Sequence, residues 1–174
     1  MNEGTADGGK IGFHLPSPEA TEALAQAIAP GLDAGDTLLL SGPLGVGKTA
    51  FARALIAERL RRVGRSESVP SPSYTLVQTY SLGEVELWHA DLYRLGDASE
   101  LGELGLDDAF RTAIVLVEWP ERLGQAALPR ALRMNFLFRE DGEARGVEIT
   151  SSGTGWEWLH AALADLSAKG WTTA

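Results

Sequence analysis

The segment that most constrains this chain lies in its first third. An apolar run, Thr37-Leu38-Leu39-Leu40-Ser41, leads into Gly42-Pro43-Leu44-Gly45-Val46-Gly47-Lys48-Thr49, and a helix-compatible stretch follows from about Thr49 to Arg62, closed by Gly64. A continuous apolar strand of this kind is buried on both faces, as in a parallel sheet. Strand, glycine-rich turn and helix in immediate succession point to a layered α/β domain.

The remaining elements agree. Ser17-Pro18-Glu19 reads as a helix start, with serine capping and proline in the first turn. Ala20, Leu24, Ala27 and Ile28 share a face to about Ala29, and Pro30-Gly31 ends the helix. Ser66–Ser73, with two prolines and four serines, is a loop. Thr75–Tyr80 and Val85–Ala90 read as strands joined at Leu82-Gly83, and Asp97–Phe110 as two short helices. Ile114–Glu118 is a second buried strand, stopped by Trp119-Pro120. Leu132, Met134, Phe136 and Phe138 alternate as one half-buried strand, Asp141-Gly142 is its hairpin turn, and Gly146–Thr150 returns. Trp156, Leu159, Leu163 and Leu166 lie on one face of a last helix. The expected fold is α/β, a three-layer P-loop NTPase fold with a mixed, mainly parallel sheet. Residues 1–12 are expected to form a flexible tail and 13–174 one domain.

The spacing G-x-x-x-x-G-K-[ST] has a physical reason at each fixed position. Gly42, Gly45 and Gly47 let backbone N–H groups turn inward without a Cβ in the way. The helix that follows aims its N-terminal N–H groups at the same point, which favours phosphate. Lys48 can reach the β- and γ-phosphates, and Thr49 offers a hydroxyl to Mg²⁺. Twelve of the fifteen lysines and arginines are arginine, yet this position carries lysine, a compact and mobile charge. The motif admits ATP or GTP, and the expected ligands are ATP and Mg²⁺, with Gly42, Pro43, Leu44, Gly45, Val46, Gly47, Lys48, Thr49 and Ala50 around the nucleotide.

A P-loop enzyme also needs a carboxylate near the metal and the attacking water. Asp91 follows Leu87-Trp88-His89-Ala90, and Glu118 follows Ile114-Val115-Leu116-Val117. Ligands in α/β sheets gather beyond the carboxyl ends of strands, where both acids stand. Lys48, Asp91 and Glu118 are the expected catalytic residues, and Thr49, Glu118 and Asp91 the metal set. Each acid has a plainer reading as a strand-end cap or ion-pair partner. His89 is read as a core histidine, or one supporting a neighbouring functional group. Arg59, Arg61, Arg62 and Arg65 are read as complementing a helix C-terminus, with a partner or RNA contact as the alternative. The tryptophans at 156 and 158 are read as packing.

Composition sets the outer limits. The absence of cysteine excludes disulfides, thiolate metal sites and a cysteine nucleophile, and fits a reducing cytoplasm. A formal net charge of −9 disfavours a broad nucleic-acid surface, so direct tRNA contact is not expected of this chain alone. No signal-like apolar core opens the chain, and no run has membrane-span length.

Several segments together resemble the TsaE (YjeE) ATPases of bacterial tRNA threonylcarbamoyladenosine biosynthesis. They are the Gly42–Thr49 loop, Val69-Pro70-Ser71-Pro72-Ser73-Tyr74-Thr75-Leu76-Val77, His89-Ala90-Asp91-Leu92-Tyr93-Arg94-Leu95, Glu103-Leu104-Gly105 and Val117-Glu118-Trp119-Pro120. Their order and spacing match from about residue 15 to 130. The resemblance implies Mg-dependent ATP hydrolysis in support of threonylcarbamoyl transfer to the adenosine beside the anticodon, with TsaB and TsaD as partners. It implies that Thr49 and Glu118 hold Mg²⁺ and that Asp91 serves hydrolysis. It further implies that Ser71–Thr75, with Ser73 and Thr75, forms a switch-like loop near the γ-phosphate. Trp119 would lie near the nucleotide and the Pro18–Thr21 region, Thr21 included, near the base. Pro43, Val46 and Ser73 depart from the residues usual at those places, and an arginine that some members carry near the position of Gly142 has no clear counterpart. The alternative reading is a P-loop small-molecule kinase.

Overall fold

The computed structural model describes residues 9–97, 99–126, 128–140 and 142–173. Among these the chain runs β1 (Ile11–Leu15), α1 (Pro18–Ile28), β2 (Asp36–Ser41), α2 (Lys48–Arg62), β3 (Val77–Ser81) and β4 (Glu86–Asp91). It continues through α3 (Ser99–Glu103), α4 (Leu106–Thr112), β5 (Ile114–Glu118), β6 (Arg130–Phe138), β7 (Arg145–Ser152), α5 (Trp158–Ala162), α6 (Ala164–Ala168) and β8 (Thr172–Thr173).

The strands form one sheet in the order β3-β4-β5-β2-β6-β7-β1-β8. Its centre is parallel, with β4 on β5, β5 on β2 and β2 on β6. Both margins are antiparallel, through β3 on β4 and through β6, β7, β1 and β8. Five strands (β4, β5, β2, β6 and β1) therefore run the same way, so the sheet is mixed and mainly parallel by direction.

The sheet is covered on both faces, as the apolar central strands require. In β2, Leu38 and Leu40 join a core with Leu24 and Ile28 of α1, Phe51 and Leu55 of α2, and Leu159, Leu163 and Leu166 near the C-terminus. Leu39 points the other way, into a second core with Val115 and Val117 of β5 and Leu106, Ala109 and Phe110 of α4. That alternation makes three layers: helices, sheet, helices. Among the described residues no helix is long and apolar enough to cross a membrane.

Local signals account for the helix ends. The Ser17 side chain accepts the Ala20 N–H at 3.3 Å, and Pro18 opens α1. A short 3-10 turn at Ala29–Gly31 ends that run, and Arg59 of α2 donates to the carbonyls of Ala29 and Leu32, both at 3.1 Å. Arg61 and Arg62 bind Glu58, while Arg65 pairs with Glu67 and donates to the Ser81 carbonyl. All four arginines of the cluster are thus engaged within the chain.

The structure departs from the sequence expectations in several places. Ile11 and Gly12, assigned to the tail, already belong to β1, which is held between β7 and β8. Phe13 and Leu15 of that strand are buried, and this contact outweighs the Gly-rich context that reads as a tail. Phe138 is exposed, because β6 ends there, and its ring meets the Arg145 guanidinium, 4.6 Å away. The last helix is two, α5 and α6, meeting at Leu163, although Trp156, Leu159, Leu163 and Leu166 are all buried as expected. Trp156 precedes α5 and donates from its indole to the Ser152 carbonyl at 3.0 Å. In the hairpin turn, Asp141 lies outside the described residues, and the N–H of Gly142 closes on the Arg139 carbonyl at 2.9 Å.

Candidate functional site

The parallel centre brings the carboxyl ends of β2, β4 and β5 to one edge. In register, Leu40 stands beside Glu118, and Glu118 beside Asp91. Between β2 and α2 the chain turns through the glycine loop. Gly42 has φ 134°, and a Cβ there would strike the Phe136 carbonyl oxygen of β6, so the position excludes side chains. Gly47 has φ 115° and starts α2 from the left-handed region, which leaves the first N–H groups of that helix facing the loop.

Lys48 folds back over this loop. Its Nζ donates to the carbonyls of Gly42 and of Pro43, the latter at 3.0 Å, and sits 4.0 Å from the centre of the Trp119 ring. Burial pushes this ammonium below its ordinary value of 10.5, and the nearby Glu118, Glu121 and Asp91 pull it part of the way back. Trp119 reaches its place through a left-handed backbone (φ 60°, ψ 52°), which for a residue with a Cβ is strained by about 1–3 kcal/mol. That geometry sets its ring against Tyr93, with centroids 4.9 Å apart.

Two carboxylates line the other wall. Glu118 is 2% exposed. Its Oε1 accepts the Thr49 hydroxyl at 2.6 Å, and its Oε2 lies 2.7 Å from His89 Nε2. Asp91 accepts the Ser73 hydroxyl at 3.2 Å on one oxygen and the Tyr93 N–H at 3.1 Å on the other. Ser71 and Ser73 are joined at 2.8 Å, which ties the Pro-Ser loop to this acid. The open cavity between these groups is about 240 Å³, walled by Leu44–Gly45, Gly47–Ala50, Ser73, Asp91, Tyr93 and Glu118–Trp119.

This donor set has a definite chemistry. One hydroxyl and two carboxylates are hard oxygen donors, the kind Mg²⁺ takes, and Mg²⁺ is held by one or two carboxylates with substrate phosphates and water completing its shell. Among the described residues no group of three or more His, Asp or Glu forms a self-sufficient metal cage. The residues present therefore fit a cation that arrives with phosphate oxygens.

Comparison with known proteins follows the same lines. The model of the family described as threonylcarbamoyl adenosine biosynthesis protein TsaE matches residues 15–147. That span includes the loop, both carboxylates and the Pro-Ser segment. The chain belongs to the TsaE family. The relative from Bacillus subtilis, named tRNA threonylcarbamoyladenosine biosynthesis protein TsaE, is 36% identical over 151 residues, covering 86% of this chain and 91% of its own. Its namesake from Rickettsia felis is 33% identical over 138 residues, 79% of each chain. Among solved structures, Bacillus subtilis YdiB superposes with a TM-score of 0.72 at 27% identity, covering 92% of this chain and 97% of that one.

Within this TsaE-family chain the structure gathers most of the expected site residues and leaves three aside. Leu44, Gly45, Gly47, Lys48, Thr49, Ala50, Ser73, Asp91, Glu118 and Trp119 line the cavity, while Gly42 and Pro43 face Lys48 through their carbonyls. Val46 does not line it and is buried in the core beneath. Thr21 is on the buried side of α1, outside the cavity, as is Thr75, whose hydroxyl accepts from Gln78 at 3.0 Å. Tyr93 was missed by sequence reasoning and lines the cavity. Its signal was available: an aromatic residue two places after a strand-end aspartate, where the local N–H can turn back to the carboxylate.

Proposed function

We propose that this TsaE-family chain is an Mg-dependent ATPase that supports threonylcarbamoyl modification of tRNA adenosine by nucleotide-dependent action on a TsaB–TsaD pair in the cytoplasm. One observation carries this reading: the hydroxyl of Thr49 and the carboxylate of Glu118 are already joined at 2.6 Å beside the Lys48 loop. A glycine loop alone favours phosphate. A loop whose first helical hydroxyl is aligned with a buried acid also favours the divalent cation that accompanies a nucleoside triphosphate.

The chain's own groups divide the work. The loop N–H groups and the α2 N-terminus bind phosphate oxygens. Lys48 exchanges its carbonyl partners for phosphate. Thr49 and Glu118 would hold the cation, which when bound would supply positive charge to the phosphates. Asp91, on the neighbouring strand end, is placed to orient a water, and Ser73 connects it to the Pro-Ser loop. Trp119 and Tyr93, with rings 4.9 Å apart, form an aromatic wall of the cavity. A partner that prefers one nucleotide state would then be bound more tightly in that state.

The test is phosphate release from ATP with and without the partner pair, alongside calorimetric binding of Mg·ATP. Release should be slow alone and faster with the pair. Asp91→Asn should lower turnover by about 100-fold while weakening nucleotide binding far less, because a group acting on the transition state spares the ground state. Glu118→Gln should lower turnover as well and also weaken the Mg²⁺-dependent part of binding, because it removes a charge that holds the cation. Equal loss of turnover and binding in Asp91→Asn would make that acid structural. A strict need for a phosphate acceptor would make the protein a kinase.

A further inference from the structure

The two oxygens of Glu118 are held by different elements. Oε1 takes the Thr49 hydroxyl from α2, and Oε2 meets His89 from β4 at 2.7 Å. His89 has no exposed surface, and it pairs in register with Leu116, two residues before Glu118 on β5. A carboxylate that already accepts from Thr49 is an acceptor toward the ring as well, so the hydrogen of the short contact belongs to Nε2. The other ring nitrogen, Nδ1, is buried with no partner among the described residues.

That orphan nitrogen is informative. A buried polar atom without a hydrogen bond costs stability, and a leucine would fill a strand position in this core without the cost. What an imidazole does here that leucine cannot is hold Glu118 Oε2. We propose that His89 is a positioning residue for the divalent cation: its Nε2–H fixes the plane of the Glu118 carboxylate so that Oε1 stays aligned with Thr49 and the cavity. The proposal rests on the Mg·nucleotide reading of the site. Its physical basis is preorganisation, since partners behind a metal ligand set that ligand's orientation before the cation arrives.

Three variants separate this role from packing. The side-chain amide of glutamine reaches the place of Nε2, whereas that of asparagine reaches only the place of Nδ1. Binding of an ATP analogue is measured by calorimetry in EDTA and then across a Mg²⁺ series. For His89→Asn and His89→Leu, the Mg²⁺ needed for half-maximal tightening should rise about 10–100-fold, the usual loss when a ligand's supporting partner is removed. His89→Gln should stay within about threefold of the parent, and affinity in EDTA should change by no more than about twofold in all variants, because the phosphate loop is untouched. If His89→Leu does not fold, the glutamine–asparagine pair decides. Equal behaviour of glutamine and asparagine, or an unshifted Mg²⁺ requirement in His89→Leu, overturns the proposal and leaves the nucleotide site standing. A parent protein whose nucleotide binding ignores Mg²⁺ overturns both.

Discussion

Asp36 and Glu118 are both buried acids on adjacent central strands, but they stand at opposite ends of the sheet. Asp36 opens β2, with no exposed surface. One oxygen pairs with the Arg130 guanidinium of β6, and the other accepts the Asp33 N–H at 2.8 Å. Glu118 closes β5 and is held by a hydroxyl and an imidazole. The nearest lysine, Lys48, spends its ammonium on loop carbonyls. A buried charge is tolerated when the fold pairs it, and Asp36 is paired with a permanently charged partner. Glu118 is oriented beside a cavity, and on the proposed reading a cation from outside would pair it. The same residue chemistry is therefore architecture at one end and a candidate site at the other, and the partner decides which.

The sharpest way to break this comparison is Asp36→Ala. It leaves Arg130 without its acid, and the cost should be about 3 kcal/mol, at the low end for a broken buried pair because water can still reach the guanidinium. Chemical denaturation reads this directly. Loss below about 1 kcal/mol would mean that the pair is no more than a surface contact.

At the other end Lys48→Ala should do the reverse. Nucleotide affinity should fall by about 1.5–3 kcal/mol, the worth of a charge-assisted contact. Stability should hold, because a buried ammonium depressed below 10.5 is a strain on the folded state and its removal relieves it. The same depression fixes a pH effect. Only the protonated amine binds phosphate well, so affinity should decline as pH rises through the lowered value, in a window below 10.5, and Lys48→Ala should be flat there. Calorimetry across alkaline pH checks the sign.

The smallest effect belongs to Glu58 of α2, a largely covered acid held by two exposed arginines, Arg61 and Arg62. Those arginines are 69% and 47% exposed, so Glu58→Gln should cost about 0.5 kcal/mol. Hydrogen bonding to Arg61, then to Arg62, holds this carboxyl below 4.5 despite partial burial. Its contribution is present above 4.5 and lost as pH falls through the lowered value, so parent and variant should converge in acid. A difference that persists there would point to packing.

Legibility followed the range of the interactions. Ile114–Glu118 was readable residue for residue, and β2, the loop and α2 nearly so, because continuous apolarity, glycine spacing and a helix end are written locally. The strand β1 was not readable. Ile11-Gly12-Phe13-His14-Leu15 is short and follows a glycine-rich stretch, and only pairing with β7 along its whole length makes it a strand. The bond from His89 to Glu118 depends on how β4 meets β5, which no local pattern records.

The sequence by itself determined the phosphate loop, since the torsions of Gly42 and Gly47 and the fold-back of Lys48 involve residues within a few positions of one another. Tertiary structure alone decided the rest of the site. Thr49 and Glu118 are 69 residues apart, and they meet because β5 lies beside β2 in parallel register. A slip of one residue between β4 and β5 would turn Asp91 to the opposite face of the sheet from Glu118, since side chains alternate with period two. The acids are in the sequence, but their shared face and their distance from Thr49 come from strand order and register.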